Sequence, residues 1–418
     1  MINNRCSLGS LRWVLCLLAW WLASGGVGWA VLPDSLHIYI DADWSSVRAS
    51  SVAIEQGILT ALDEEDARLG GLPVKIIAKN HRGNSLRSKR HLEQFLADDR
   101  ALVLFSGLHS PPLLAHRDYI NQKEILVLDP WAAAGPITRY DGEKNWIFRL
   151  SIDDTKAGEV IVNYAINHRG FKRPYLLLED TGWGQSNQRT MGVALNSLGI
   201  QPVGIQWFNW GMSPASARMM LRAVKLARAD VILLVCNASE GKLIIDEMRS
   251  LGLDMPICSH WGITGSDFPK MIGMDQGVEI DLAFIQTRFS FVGLSDNSLG
   301  KSVLQRAQKL FPTVKSAQDM RAVSGFVHAY DLTRILLAAV DQIGLRGDIV
   351  QDRDRLRAAL ENLSQPVEGL IKTYHRPFRP FSKRDPDAHE ALGIKDYLMA
   401  RYNQDGVIHL LEASGIEQ

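Results

Sequence analysis

VILLVCNASEGKLIIDEMRSLGLDMPICSHWG, residues 231–262, decides how the rest of the chain is read. It opens on a continuous apolar run, Val231–Val235, and turns a polar corner at Asn237-Ala-Ser-Glu240. A helical pattern follows over Gly241–Leu251. A second short run, Pro256–Ser259, ends in His260-Trp261-Gly262. Apolar runs without polar alternation suit strands covered on both faces. A helix between two such strands is the crossover of a parallel sheet.

The same alternation extends outward. Helix Thr155–Asn167 precedes strand Tyr175–Leu178, and helix Gln185–Leu198 precedes strand Val203–Phe208. Helix Pro214–Ala227 then leads into Val231. Earlier in the chain, strands Leu36–Ile40, Val74–Ala78, Ala101–Phe105 and Ile125–Leu128 alternate with helices near 50–68, 85–98 and 112–122, ending at Trp146–Leu150. Two successive blocks of this kind predict an α/β protein with two doubly wound parallel-sheet lobes, the first ending near residue 150.

The last third is less regular. A run at Ala283–Phe291 precedes helices Leu299–Phe311, Ala322–Ile343 and Asp352–Leu363. From Gly369 the chain reads as short strands and turns. His375–Phe381 is a proline-broken loop, and Asp405-Gly406 marks a hairpin between Tyr397–Tyr402 and Val407–Leu411. No repeat at solenoid periods and no low-complexity tract occurs.

The N-terminus reads as an export signal. Arg5 and Arg12 precede an apolar run, Trp13–Ala23, and small residues lead to Ala30. That run is too short to cross a bilayer and right for a signal peptide cleaved near Ala30, which places the protein in the periplasm. Removing residues 1–30 from the 418 leaves 388, enough for two domains. It takes two of the 46 Lys and Arg residues and none of the 46 Asp and Glu residues, so the net charge becomes about −2. Nothing in that balance points to nucleic acid. No later segment has an 18-residue apolar run. Cys236 and Cys258 lie near the ends of predicted strands; a disulfide or two small buried residues are both open.

In open α/β sheets ligands bind beyond the carboxyl ends of the strands. Those positions here carry tryptophans: Trp44 after strand one, Trp131 in Asp129-Pro-Trp131, Trp183 in Glu179-Asp-Thr-Gly-Trp-Gly184, and Trp261 after His260. Trp210 is a fifth candidate. Indole faces suit an apolar or aromatic ligand, or a cationic amine held over the ring. Ser110 stands near a helix start, where it suits a carboxylate. Glu240 suits an ammonium, or else a helix N-terminus.

Enzyme signatures are missing. No G-x-S-x-G elbow, Walker loop or H-E-x-x-H appears, and the His residues form no metal-ligand pattern with Cys. Asp129, Asp180 and His260 are the remaining acid–base candidates. The expectation is a binding protein without catalysis, metal or cofactor.

The order of elements resembles the type I periplasmic binding proteins, in the branch with the leucine/isoleucine/valine and amide/urea binding proteins, over about residues 34–412. The carriers are Ala53-Ile-Glu-Gln-Gly57 through Ala61-Leu-Asp-Glu-Glu65, Phe105-Ser-Gly-Leu-His-Ser110, Asp129-Pro-Trp-Ala-Ala-Ala-Gly-Pro-Ile-Thr138, Trp146-Ile-Phe-Arg149, Glu179-Asp-Thr-Gly-Trp-Gly184 and Asn237-Ala-Ser-Glu240. The resemblance implies three crossings between lobes, near residues 151, 285 and 367. Lobe one would then hold 31–150 and 285–366, and lobe two 151–284 and 367–418, closing on a small molecule at a hinge. It also implies that Ser110, the backbone of Ala132 and Ala134, Trp183 and Glu240 contact an amine, amino-acid-like or amide ligand. Asp129-Pro-Trp131 departs from the small, Ser-containing strand end of the amino-acid binders; it adds bulk and a negative charge that disfavour a branched-chain amino acid. The implied partner is the membrane permease of an ABC importer, or a membrane sensor protein if the same fold signals instead.

Overall fold

A computed structural model describes residues 32–274, 277–294 and 297–411. The expected signal peptide lies outside the described residues. Two sheets organise the rest. The first has the order β2-β3-β1-β4-β5-β6, with β1 at Leu36–Ala42, β2 at Arg68–Leu69, β3 at Leu72–Asn80, β4 at Ala101–Ser106, β5 at Val127–Asp129 and β6 at Ile147–Arg149. All its pairings are parallel except the β2–β3 hairpin.

The second sheet has the order β15-β14-β11-β10-β9-β7-β8. Its parallel part is β7 at Pro174–Glu179, β8 at Gly204–Phe208, β9 at Val231–Val235, β10 at Ile257–Ser259 and β11 at Leu282–Thr287. A two-stranded antiparallel pair, β12 at Val367–Glu368 and β13 at Thr373–Tyr374, stands apart from both sheets, and the predicted hairpin, β14 at Tyr397–Tyr402 and β15 at Ile408–Leu410, adds an antiparallel edge to the second. The chain is therefore two-lobed α/β with doubly wound, mainly parallel sheets.

Local chemistry sets the helix starts. The Asn84 side chain accepts a bond from Arg87 N, Thr181 from Gly184 N, Ser213 from Ser216 N just ahead of Pro214, and Asp348 from Val350 N and Gln351 N. The first helix, Arg48–Asp63, is shorter than expected. Asp66 and Ala67 adopt positive φ and turn the chain into β2.

Helix Val323–Ile343 is long and apolar enough to cross a membrane, yet it packs along Arg48–Asp63 with most of its side chains buried. Gly57 permits that approach, since a Cβ there would lie 2.3 Å from Phe326 O. The helix is a core element of lobe one, and its apolar character comes from burial on all sides.

β11 continues to Thr287, so the chain leaves the second sheet after that residue. The segment following residue 367 still packs on lobe one: Tyr374 OH and Leu370 N bond to Asp331, and Phe378 is fully buried against Phe148. The chain enters the second sheet only at Tyr397. The phenylalanine in the proline-broken loop anchors it there.

Cys236 and Cys258 are free and buried. Cys258 is in register with Leu233, three residues from Cys236 along the neighbouring strand. Three residues of strand span about 10 Å, beyond the reach of a disulfide.

Candidate functional site

The loops after β4 and β5 face those after β7, β9 and β10 across a narrow cleft. Lobe one lines it with Leu108, His109, Ser110, Pro111, Trp131 and Ala133; lobe two with Glu179, Trp183, Asn237, Trp261 and Gly262. The cleft has a volume of about 260 Å³, part of it open to solvent. Three of its lining residues are tryptophans, whose ring faces border the space. A larger hollow, about 490 Å³, borders the Asp267–Arg321 ion pair. It shares no lining residue with the cleft and lacks the tryptophans, and the strand-end rule favours the cleft.

Trp131 and Trp261 meet with ring centroids 5.5 Å apart. Trp183 stands at 90° to His260, at 5.1 Å, and His328 packs 4.9 Å from Trp261. Burial drives the His328 imidazole down to about 3, so it is neutral, held between Pro130 O and Thr287 Oγ1. The indole N–H groups of Trp131 and Trp183 are buried and have no partner among the described residues.

The lobe-one wall is braced from behind. Asp129 Oδ1 accepts from Ser106 Oγ, Trp131 N and Ala132 N at 2.8–3.2 Å. Burial pushes its carboxyl up to about 7 despite nearby Arg149. Ser110 Oγ accepts from Ala134 N at 3.2 Å. Arg149, fully buried, donates to Ala132 O and Ala134 O and forms a two-point pair with Glu390 at 2.9 and 2.7 Å. Asp153 bonds to Arg139, Arg149 and Lys156. Burial would raise Asp153, but these three cations outweigh it and hold the carboxyl well below the usual range.

The lobe-two wall is less completely bonded. Glu179 is buried, accepting from Thr181 Oγ1 at 3.1 Å and Asn237 Nδ2 at 2.9 Å. Burial pushes its carboxyl up to about 7, Glu240 adds to the rise, and Trp210 opposes it. Asn237 Oδ1, Asn187 Oδ1 and both Asp154 carboxylate oxygens lack hydrogen-bond partners among the described residues. His260 Nε2 lies 2.9 Å from Asp154 Oδ1 without hydrogen-bond alignment. Burial raises the Asp154 carboxyl, with His260 opposing.

Of the residues singled out from sequence, Ser110, Trp131, Trp183 and Trp261 line the cleft together. Asp129, Ala132, Ala134 and His260 lie immediately behind it, each fully buried. Trp44 is not brought to the lining; its backbone N–H bonds to Asn80 beyond β1. Glu240 also lies outside, with Oε1 accepting from Gly211 N at 3.1 Å. Asp180 is exposed, so the three acid–base candidates do not converge on the lining. Sequence reading missed Glu179, His109, Asn237 and Arg149. Glu179 and Asn237 stand in the strand-end segments already noted, and a rule taking the last strand residue as well as the loop would have found Glu179. Arg149 carries no local signal for its role, because its two-point partner Glu390 is 241 residues away.

Comparison with solved structures gives the same fold repeatedly. A type 1 periplasmic binding protein from Bordetella pertussis Tohama I aligns with a TM-score of 0.74 at 16% identity, covering 90% of this chain and 100% of its own. A Rhodopseudomonas palustris ABC transporter solute-binding protein in complex with 4-hydroxybenzoate aligns at 0.73 and 17%, covering 91% and 96%. A leucine binding protein from Thermotoga maritima aligns at 0.71 and 15%, covering 90% and 98%. No curated protein sequence matches. The family profile described as periplasmic binding protein matches residues 40–406, and the chain therefore belongs to the periplasmic binding protein family, type I.

Proposed function

We propose that this protein is exported and captures a small amine between its lobes, delivering it to an ABC importer. The observation that carries the reading is the make-up of the cleft. Among its lining residues three are tryptophans, Glu179 is a carboxylate, and none is a lysine or arginine. Such a site offers ring faces and a negative group to a cation, and no fixed positive charge to a carboxylate. Asn237 Oδ1, an acceptor without a partner, adds a place for a ligand N–H.

The lobe-one groups expected to hold an α-carboxylate, Ser110 Oγ and Ala134 N, are bonded to each other. That favours a plain amine or an amide over an amino acid. The lobes divide after Leu150, after Thr287 and before Tyr397, and closure about these three passages traps the ligand. Asp129, Ala132, Ala134 and His260 support the wall from behind, and Trp131, Trp183, Trp261, Ser110 and Glu179 face the ligand.

The test is calorimetric titration of the purified protein with alkylamines, amides, amino acids and benzoates. Micromolar or tighter binding confined to amines or amides is expected. Benzoates binding more tightly than every amine would refute the assignment. A sensory role, with the closed form presented to a membrane sensor protein, uses the same cleft; deletion of the partner permease abolishes amine uptake only under the transport reading.

A further inference from the structure

Trp210 follows β8 on lobe two and is 37% exposed. Its ring nevertheless touches lobe one. A Cβ on Gly83, in the turn after β3, would fall 2.9 Å from Trp210 Cζ3. Gly83 also has φ +68°, which glycine adopts without strain. The His109 ring stands 4.8 Å from the Trp210 ring at 41°. His109 is itself held 3.5 Å from Asp43, whose carboxyl hydrogen bonds from His109, Ser46 and Ser45 keep low despite burial. On its own lobe, Trp210 lies close enough to Glu179 to lower its carboxyl against the rise from burial.

One side chain thus joins three places: a seat without a Cβ, an imidazole and the cleft carboxylate. Gly83 and His109 belong to lobe one, and Trp210 and Glu179 to lobe two. Opening the lobes must separate the first pair from the second. Two of these groups, His109 and Glu179, line the cleft, so the contact forms at the cleft's edge.

We propose that Trp210 is an interlobe clasp: it seats on Gly83 and His109, fixes Glu179 towards the cleft, and holds the lobes together before ligand arrives. The proposal rests on the cleft being the capture site, but not on which ligand enters it. Trp210 acts as a positioning residue through Glu179 and through lobe closure.

The experiment is pulsed electron spin resonance on the full chain without ligand. Spin labels go at Leu86→Cys on lobe one and Leu226→Cys on lobe two, both exposed side chains, while the native Cys236 and Cys258 are buried. Trp210→Ala and Gly83→Val should each shift the distance distribution towards the open form, with the closed-to-open ratio falling about tenfold, the scale of one well-placed aromatic contact. Trp210→Phe, which keeps a ring on the seat but loses the N–H, should fall between. Distributions unchanged by Trp210→Ala, a substitution at an exposed turn that leaves folding intact, would overturn the clasp. Failure of every amine to bind would sink the proposed ligand and leave this readout unaffected.

Discussion

The two walls of the cleft differ in how their polar groups are spent. On lobe one, the backbone groups that could meet a ligand are already bonded, Ser110 Oγ to Ala134 N, Ala132 N to Asp129, and the Ala132 and Ala134 carbonyls to Arg149, while Asp129 Oδ2 and the Trp44 and Trp131 indole N–H groups have no partner among the described residues. On lobe two, Asn237 Oδ1, Asn187 Oδ1 and both Asp154 oxygens are buried without hydrogen-bond partners, and Glu179 is held near the point of protonation. A fully satisfied network is rigid, while buried unpaired acceptors are costly until something donates to them. The lobe-one backbone is thus a preformed platform, and most of the unpaired acceptors, the groups suited to an amine, stand on lobe two.

The most severe way to break this contrast is at Arg149. Its guanidinium is fully buried between Glu390, Asp153 and two carbonyls of the platform. Burial would lower its pKa, but Glu390 and Asp153 outweigh that and raise it, so it stays charged at every working pH. Arg149→Leu takes the two-point partner from buried Glu390 and one of three cations from Asp153, and should cost about 3–5 kcal/mol, read as the drop in urea-unfolding free energy. Lys156→Met, at the network's partly exposed rim, should cost about 1 kcal/mol or less. Equal losses would mean that the platform does not depend on its buried centre.

Next in size is Glu179. Its carboxyl sits at about 7 in the folded protein, above its ordinary value. Two consequences follow with definite sign. Stability contributed by the protonated form is present at low pH and lost as pH rises from the ordinary glutamate range through about 7. Amine affinity runs the other way, because the ionised carboxylate is the binding form and binding expels a proton below pH 7. Glu179→Gln should flatten both profiles and weaken amine binding by about 2 kcal/mol, roughly thirtyfold, by calorimetry across pH 5–8. An amine affinity independent of pH in the wild type would move the recognition chemistry off lobe two.

The part of this picture legible in the sequence follows the range of the forces involved. The strands of both lobes, the Tyr397–Tyr402 hairpin and three cleft tryptophans were readable because apolar runs, turn residues and strand-end positions are local signals. The Arg149 network was not readable, since it joins residues 132–153 to 387–390 through tertiary packing. Trp44 illustrates the limit of the strand-end rule: it follows β1 as expected, but its backbone is tied to Asn80, away from the lining. The passage near 367 likewise depended on where Phe378 is buried, which periodicity does not encode.

Smaller effects separate recognition from packing within the aromatic set. Trp183 sits on the lobe-two wall with its N–H unpartnered. Trp183→Ala should weaken amine binding about tenfold, the scale of one desolvated cation–π contact, on top of a stability loss of about 3 kcal/mol from the buried ring. Trp131 instead packs on the Val323–Ile343 helix, where a Cβ on Gly325 would lie 2.6 Å from its ring. Trp131→Ala should act mainly on stability, costing about 3 kcal/mol. The reverse pattern would make lobe one the recognising wall.

The smallest expected effect is the most discriminating. Glu240 stands where the family resemblance puts the ammonium partner, yet its Oε1 is taken by Gly211 N and the residue lies outside the cleft lining. Its influence on a bound cation would pass through the field at Glu179, whose carboxyl it helps to raise. Glu240→Gln removes that repulsion and lowers the Glu179 pKa, so amine binding near pH 6.5 should tighten slightly, by less than about 0.5 kcal/mol. A loss instead of a gain would return the ammonium to Glu240. A gain, together with the large loss at Glu179→Gln, assigns the charge recognition to the last residue of β7 rather than to the helix that follows β9.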